Sequence, residues 1–146
     1  MRQLVAAIAS VRPWKLALVA RVWLTFLYLL VEMRWRPLPT IVQRLDTPPR
    51  NRARPVRPTQ LSRASYRVLR VGPYRPRCIY RALVLFYLLR KQGDRPVLVI
   101  GLPEMARDRT AHAWVELDGV DVGPPPGRAG HNPFVKYPEA TDRPPS

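Results

Sequence analysis

Apolar residues recur at helical spacing through the first part of the chain. Leu16, Val19, Trp23, Phe26, Leu27 and Leu30 form a wide apolar face, while Arg21, Glu32, Arg34 and Arg36 mark a wet side. Pro13 suits the first turn of a helix, and Pro37 and Pro39 cannot continue one. The pattern predicts a helix over residues 13–36, a short helix over 2–10 before it, and another over 40–45 after it. Residues 22–31 carry no charge. A membrane span needs about 20 apolar residues, so this run reads as a core helix, or as one lying on a partner or membrane surface.

Thr59 is placed to cap a helix carrying Leu61, Ala64, Ser65, Val68 and Leu69, which Gly72-Pro73 stops. A stronger pattern follows over residues 78–91. Cys78, Ala82, Leu85 and Leu89 share one side, Arg81 and Arg90 lie elsewhere, and Gly93 signals the C-terminus. The period then changes. Residues 96–101 (Pro-Val-Leu-Val-Ile-Gly) read as a buried strand and residues 111–117 (Ala-His-Ala-Trp-Val-Glu-Leu) as an alternating one. Asp118-Gly119 is a two-residue turn of type I′ preference, a third strand begins at Val120, and residues 134–137 suggest a fourth. Helices come first and an antiparallel sheet last, an α+β order rather than a βαβ one.

Composition divides the chain. Its 146 residues suffice for one core. Residues 48–58 (Pro-Pro-Arg-Asn-Arg-Ala-Arg-Pro-Val-Arg-Pro) form a basic, proline-rich linker. It separates a helical region, 1–47, from a core over 59–138, and 139–146 reads as a tail. The formal net charge of +15 comes almost wholly from arginine. Solvated helix faces account for it as well as an acidic peptide substrate, an acidic partner, an anionic membrane or nucleic acid would. No recognised nucleic-acid motif and no zinc spacing is present. The single cysteine allows no intrachain disulfide, and residues 1–10 lack a signal peptide's arrangement. The expected location is the cytoplasm.

That cysteine, Cys78, starts the strongest helix of the second half. The positive end of a helix favours a thiolate, and Arg75, Arg77 and Arg81 add positive potential. A cysteine nucleophile needs a base, and there are two histidines. His131 lies in a glycine-rich stretch. His112 lies in a strand between two alanines, with Trp114 and Glu116 on its face. If the Cys78 helix packs across that face, thiol and imidazole meet. A buried cysteine with a satisfied histidine fits composition equally. Trp114 and Arg81 are the candidate substrate-binding residues, although a plain core tryptophan satisfies the pattern as well.

Taken together, Arg77-Cys78-Ile-Tyr-Arg81-Ala-Leu, then Leu-Arg-Lys-Gln-Gly93, residues 96–101, and Ala111-His112-Ala-Trp114-Val-Glu-Leu-Asp-Gly119 resemble the lasso-peptide leader peptidases. These are microcin-processing, transglutaminase-like cysteine proteases. The resemblance is detailed over residues 59–137. It implies a papain-like core in its transglutaminase form, with the nucleophile helix packed on a small antiparallel sheet. It implies cleavage of a ribosomally made precursor after its leader, with no cofactor and no metal. Its implied partners are the precursor leader peptide, a separate small leader-recognition protein, as in the split form, and an ATP-dependent lasso cyclase. The apolar surface of the first long helix is the expected contact for the recognition protein or the cyclase.

The third catalytic member departs from the pattern. Pro124 stands where the family's carboxylate is expected. Asp121 is the nearest acid, and a tight hairpin would place it opposite Glu116, on the His112 face but not beside the ring. The expected catalytic set is therefore Cys78, His112 and Asp121. Two other readings stay open: an acyl transferase, in which an amine replaces water, and a non-catalytic basic scaffold or binding module.

Overall fold

The computed structural model describes residues 13–46, 56–70, 76–105, 110–125 and 127–138. The helix expected over 2–10, most of the proline-rich linker, the Gly72-Pro73 stop and the tail from residue 139 lie outside the described residues. Among the described residues there are four helices and four strands. They are α1 (Pro13–Trp35), α2 (Leu38–Leu45), α3 (Pro58–Leu69), α4 (Cys78–Gln92), β1 (Val97–Pro103), β2 (His112–Leu117), β3 (Val120–Asp121) and β4 (His131–Tyr137). The expected α+β class is the observed one.

Helix α4 is the centre of the molecule. Ala82, Leu83, Val84, Leu85, Phe86, Leu88 and Leu89 are all buried, so it is apolar nearly all round, as a helix covered on every side must be. Each fully buried leucine contributes about 1.5–3 kcal/mol. Gly93 ends the helix at φ 103°, which only glycine adopts without strain. Helices α1, α2 and α3 cover one side of α4 and the sheet covers the other. Helix α3 begins one residue before the expected cap: Arg57 is the N-cap and Pro58 opens the first turn.

The side of α1 that enters the core shares Phe26 and part of Trp23 with the expected face but is otherwise different. Val22, Phe26 and Leu29 are buried, and Phe26 meets Tyr80 of α4 edge to face at 5.9 Å between ring centroids. Leu16, Val19, Leu27 and Leu30 remain substantially exposed, alongside Leu24, Val31 and Trp35. The helix is apolar around most of its circumference, so periodicity could not choose the side that packs on α4. Its 22 residues Trp14–Trp35, of mean hydropathy 1.8, are long and apolar enough to cross a membrane by length and composition. One side of that same helix is committed to the protein's own core.

The sheet is antiparallel, in the order β3-β2-β1-β4. Asp118 and Gly119 both have positive φ, 50° and 79°, as a type I′ turn requires, and the hairpin they close pairs Glu116 with Asp121. Strand β4 starts at His131, three residues earlier than its apolar pattern indicates, and pairs with β1 rather than with β3. Leu98, Ala113 and Val115 belong to the core cluster built around α4. Alternation then puts His112, Trp114 and Glu116 on the opposite face. The condition that would let thiol and imidazole meet, α4 crossing the His112 face, is not fulfilled: α4 packs on the alanine and valine face, because those side chains complete its apolar surround.

Candidate active site

Cys78 is the first residue of α4. Its N-cap, Arg77, has extended backbone angles (φ −56°, ψ 148°) and no side chain caps the helix end. The thiol is half-buried, and its Sγ lies 4.0 Å from the carbonyl oxygen of Ala111, to which S–H donates. The helix start is thereby held against the start of β2, one residue from His112. The helix meets the histidine strand end-on rather than across its face. Among the described residues no hydrogen bond joins the thiol to the imidazole.

His112 opens β2 opposite Gly101 of β1. Its ring stacks against Trp114, with 6.4 Å between centroids and 21° between planes. The indole in turn lies over Gly101. A Cβ there would come within 2.5 Å of the Trp114 ring, so the strand accommodates the indole only because residue 101 has no side chain. Trp114 is 1% exposed, and its Nε1–H donates to Glu116 Oε1 at 3.0 Å. The other Glu116 oxygen pairs with Lys136 Nζ of β4, also at 3.0 Å. Trp114 is thus locked in place by hydrogen bonding as well as packing, and it walls the histidine.

On its other side His112 meets His131, the histidine of β4, with 5.2 Å between ring centroids. The Nδ1 of His131 is 2.9 Å from the carbonyl oxygen of Ala129. A carbonyl only accepts, so Nδ1 carries the proton in the neutral ring. Burial, His131 and Arg81 hold the His112 pKa below the usual histidine value, and Asp121 partly opposes them. The sequence pattern did not single out His131. No local signal could have done so, because its proximity depends on β4 joining the far edge of β1.

Asp121 faces the same region but spends its hydrogen bonds elsewhere. Oδ1 accepts from the Gly123 amide and Oδ2 from the Arg128 amide, both at 2.8 Å. Gly127, at φ 49°, packs so closely on this carboxylate that a Cβ would overlap Oδ2. Asp121 therefore anchors the turn that follows β3. Its charge reaches His112 through space, favouring the imidazolium, without a hydrogen bond to the ring.

Between that turn and helices α3 and α4 lies a small cavity of about 20 Å³, lined by Tyr66, Arg81, His112, Trp114, Pro124 and Gly127 among others. Tyr66 of α3, which the helical pattern passed over, has its pKa pushed up to about 12, chiefly by burial, so its hydroxyl stays protonated. The Arg81 guanidinium sits over the Tyr66 ring, 5.2 Å from its centroid. Arg81 Nε is buried with no hydrogen-bond acceptor among the described residues. Among the described residues no group of three or more His, Cys, Asp and Glu side chains gathers to hold a metal ion.

A half-buried thiol at a helix start, a partly buried imidazole one residue beyond the carbonyl that the thiol contacts, and an arginine-lined cavity at the imidazole suit acyl-transfer chemistry through a thioester. No curated protein and no solved structure matches the chain. A family model does match: the transglutaminase-like superfamily, over residues 22–135, a span that includes most of α1, the Cys78 helix and all four strands through Val135. Its fold is that of cysteine proteases and acyl transferases, and this chain belongs to the transglutaminase-like superfamily.

Proposed function

We propose that this protein is a cysteine peptidase that removes the leader from a ribosomally made lasso-peptide precursor. The observation that carries the chemistry is the contact between Cys78 Sγ and the Ala111 carbonyl, which brings the helix-start thiol to the residue before His112. In this reading His112 takes the thiol proton and the Cys78 thiolate attacks the scissile carbonyl. The tetrahedral intermediate collapses to a thioester as His112 protonates the leaving amine. His112 then activates a water, which releases the acid product and restores the thiol. The Cys78 backbone N–H is one donor to the oxyanion. Arg81 binds substrate from the cavity side, while Trp114, expected to share that role, is buried and serves as the wall behind His112. Asp121 supports the imidazolium through its charge and holds the turn that closes the site, in place of a direct hydrogen bond.

The partners in this reading are a separate leader-recognition protein and an ATP-dependent cyclase. The exposed apolar side of α1, with Leu24, Val31 and Trp35 at its surface, is the area assigned to one of them. The net charge of +15 suits an acidic precursor.

The test is incubation with precursor, with and without the recognition protein, read by mass spectrometry. Wild-type protein should release the leader and Cys78→Ala should not. Full cleavage by Cys78→Ala would overturn the nucleophile. A product whose mass shows capture by an amine, rather than by water, would make the protein an acyl transferase. An untouched precursor in the presence of both partners would leave a scaffold.

A further inference from the structure

Three polar groups line the cavity behind His112, and one of them, Arg81, is buried without the partner its chemistry calls for. Among the described residues Arg81 Nε is buried without an acceptor, and the guanidinium sits over the face of Tyr66. The Tyr66 hydroxyl stays protonated and so remains able to donate. Among the described residues the His112 ring has ring contacts but no hydrogen bond. All three are donors or can be, and all three line the same cavity. Asp121, the acid nearest to hand, is occupied by two backbone amides. The cavity has room for one or two water-sized groups. Its remaining walls include Pro124 and Gly127, neither of which offers a side-chain acceptor.

We propose that this cavity is a carboxylate site, in which Arg81 and Tyr66 hold an acid brought by the substrate and turn it toward His112. An arginine with a free Nε binds a carboxylate through two parallel bonds where geometry allows, and charge-assisted bonds of this kind are about twice as strong as neutral ones. A tyrosine hydroxyl adds a third bond. The carboxylate's remaining lone pairs then offer His112 the acceptor that its ring lacks. The inference rests on the peptidase reading and deepens it: the preferred substrate carries Asp or Glu close to the scissile bond, and its side chain completes the site. The charged groups that act on His112 are His131 of β4, Arg81 of α4 and Asp121 of β3, and Tyr66 of α3 lines the same cavity. An added carboxylate would shift their balance toward the imidazolium.

The site can be tested without any activity. Formate is the probe, titrated into the full chain and followed by the imidazole resonances. There are two histidines, so His131→Gln assigns them. Formate should move the His112 signals saturably and raise the His112 pKa, while sodium chloride of equal ionic strength should not. Arg81→Gln should weaken this response about tenfold. Pro124→Asp, which places a carboxylate on the cavity wall, should abolish it by filling the site. No formate response in the wild type, or an equal one in Pro124→Asp, overturns the carboxylate site whether or not the protein proves to be a peptidase. Cleavage assays identify the source. Changing the acid nearest the scissile bond to its amide should raise KM about tenfold, and formate should restore part of the rate. Indifference to that change, with a rate that follows formate alone, overturns the substrate as the source.

Discussion

His112 and His131 lie ring against ring, 5.2 Å apart, although they come from strands separated by β1. Two imidazoles this close cannot both take a proton cheaply, and Arg81 adds to the cost for His112. Burial first, then His131 and Arg81, depress the His112 pKa, and Asp121 opposes them. Replacing His131 by Gln removes a like-charge neighbour, so the His112 pKa should rise. The acid limb of kcat/KM should then move to higher pH. Proton NMR of the ring checks the first and a pH–rate profile the second; an unmoved pKa would show the ring contact to be electrically silent.

The same depression sets the sign of a stability effect. The unfolded chain binds the His112 proton more readily than the fold does. This group's contribution is therefore complete above the ordinary histidine pKa, near 6.5, and is lost as pH falls through the folded value. The stability of wild type relative to His112→Asn, read from thermal melts, should fall as the pH is lowered through that window. A relative stability that rises on acidification would be inconsistent with a depressed pKa.

Asp121 and Gly127 act as one device. The carboxylate ties the turn through the Gly123 and Arg128 amides, and Gly127 gives it room. Gly127→Ala meets the carboxylate head-on, and positive φ costs a further ~1–2 kcal/mol. Asp121→Ala removes two charge-assisted bonds, each of about 1.5–3 kcal/mol where shielded and less in this partly exposed turn. Both variants should lower activity more than they lower the melting temperature, since the turn walls the cavity but contributes little to the core. Full activity in Asp121→Ala would remove Asp121 from the catalytic set.

Trp114 depends on Gly101 beneath it and Glu116 beside it. Gly101→Ala drives a methyl into the indole and should destabilise by about 1–3 kcal/mol, the usual cost of overpacking. Glu116→Ala leaves the buried indole N–H without an acceptor, at a similar cost of about 1–3 kcal/mol. Glu116→Gln keeps an acceptor and loses only a bond to a half-exposed lysine, so it should cost about 0–1 kcal/mol. Denaturant melts would separate the three; equal losses in the Gln and Ala variants would mean that the Lys136 pair, not the indole bond, holds the tryptophan.

Local patterning carried much of the fold. The helix from Cys78 to its glycine cap, the I′ hairpin at Asp118-Gly119, and the Glu116–Asp121 register are all set by residues close together in sequence. Turn chemistry and alternation leave little freedom over such distances. Elements with apolar residues on every side were less legible. For α1 the sequence indicated a helix but not the side that is buried, because several faces satisfy the same periodicity.

The candidate site divides in the same way. By itself the sequence placed Cys78 at a helix start and His112 in a strand, and it put Asp121 on the His112 face yet away from the ring. Only the tertiary structure decided that α4 meets β2 end-on at Ala111, that β4 pairs beyond β1 and carries His131 to His112, and that Tyr66 and Arg81 close a cavity behind the imidazole. These are contacts between residues far apart in the chain. They follow from which apolar faces bury one another, a competition among whole elements that no short stretch of sequence records.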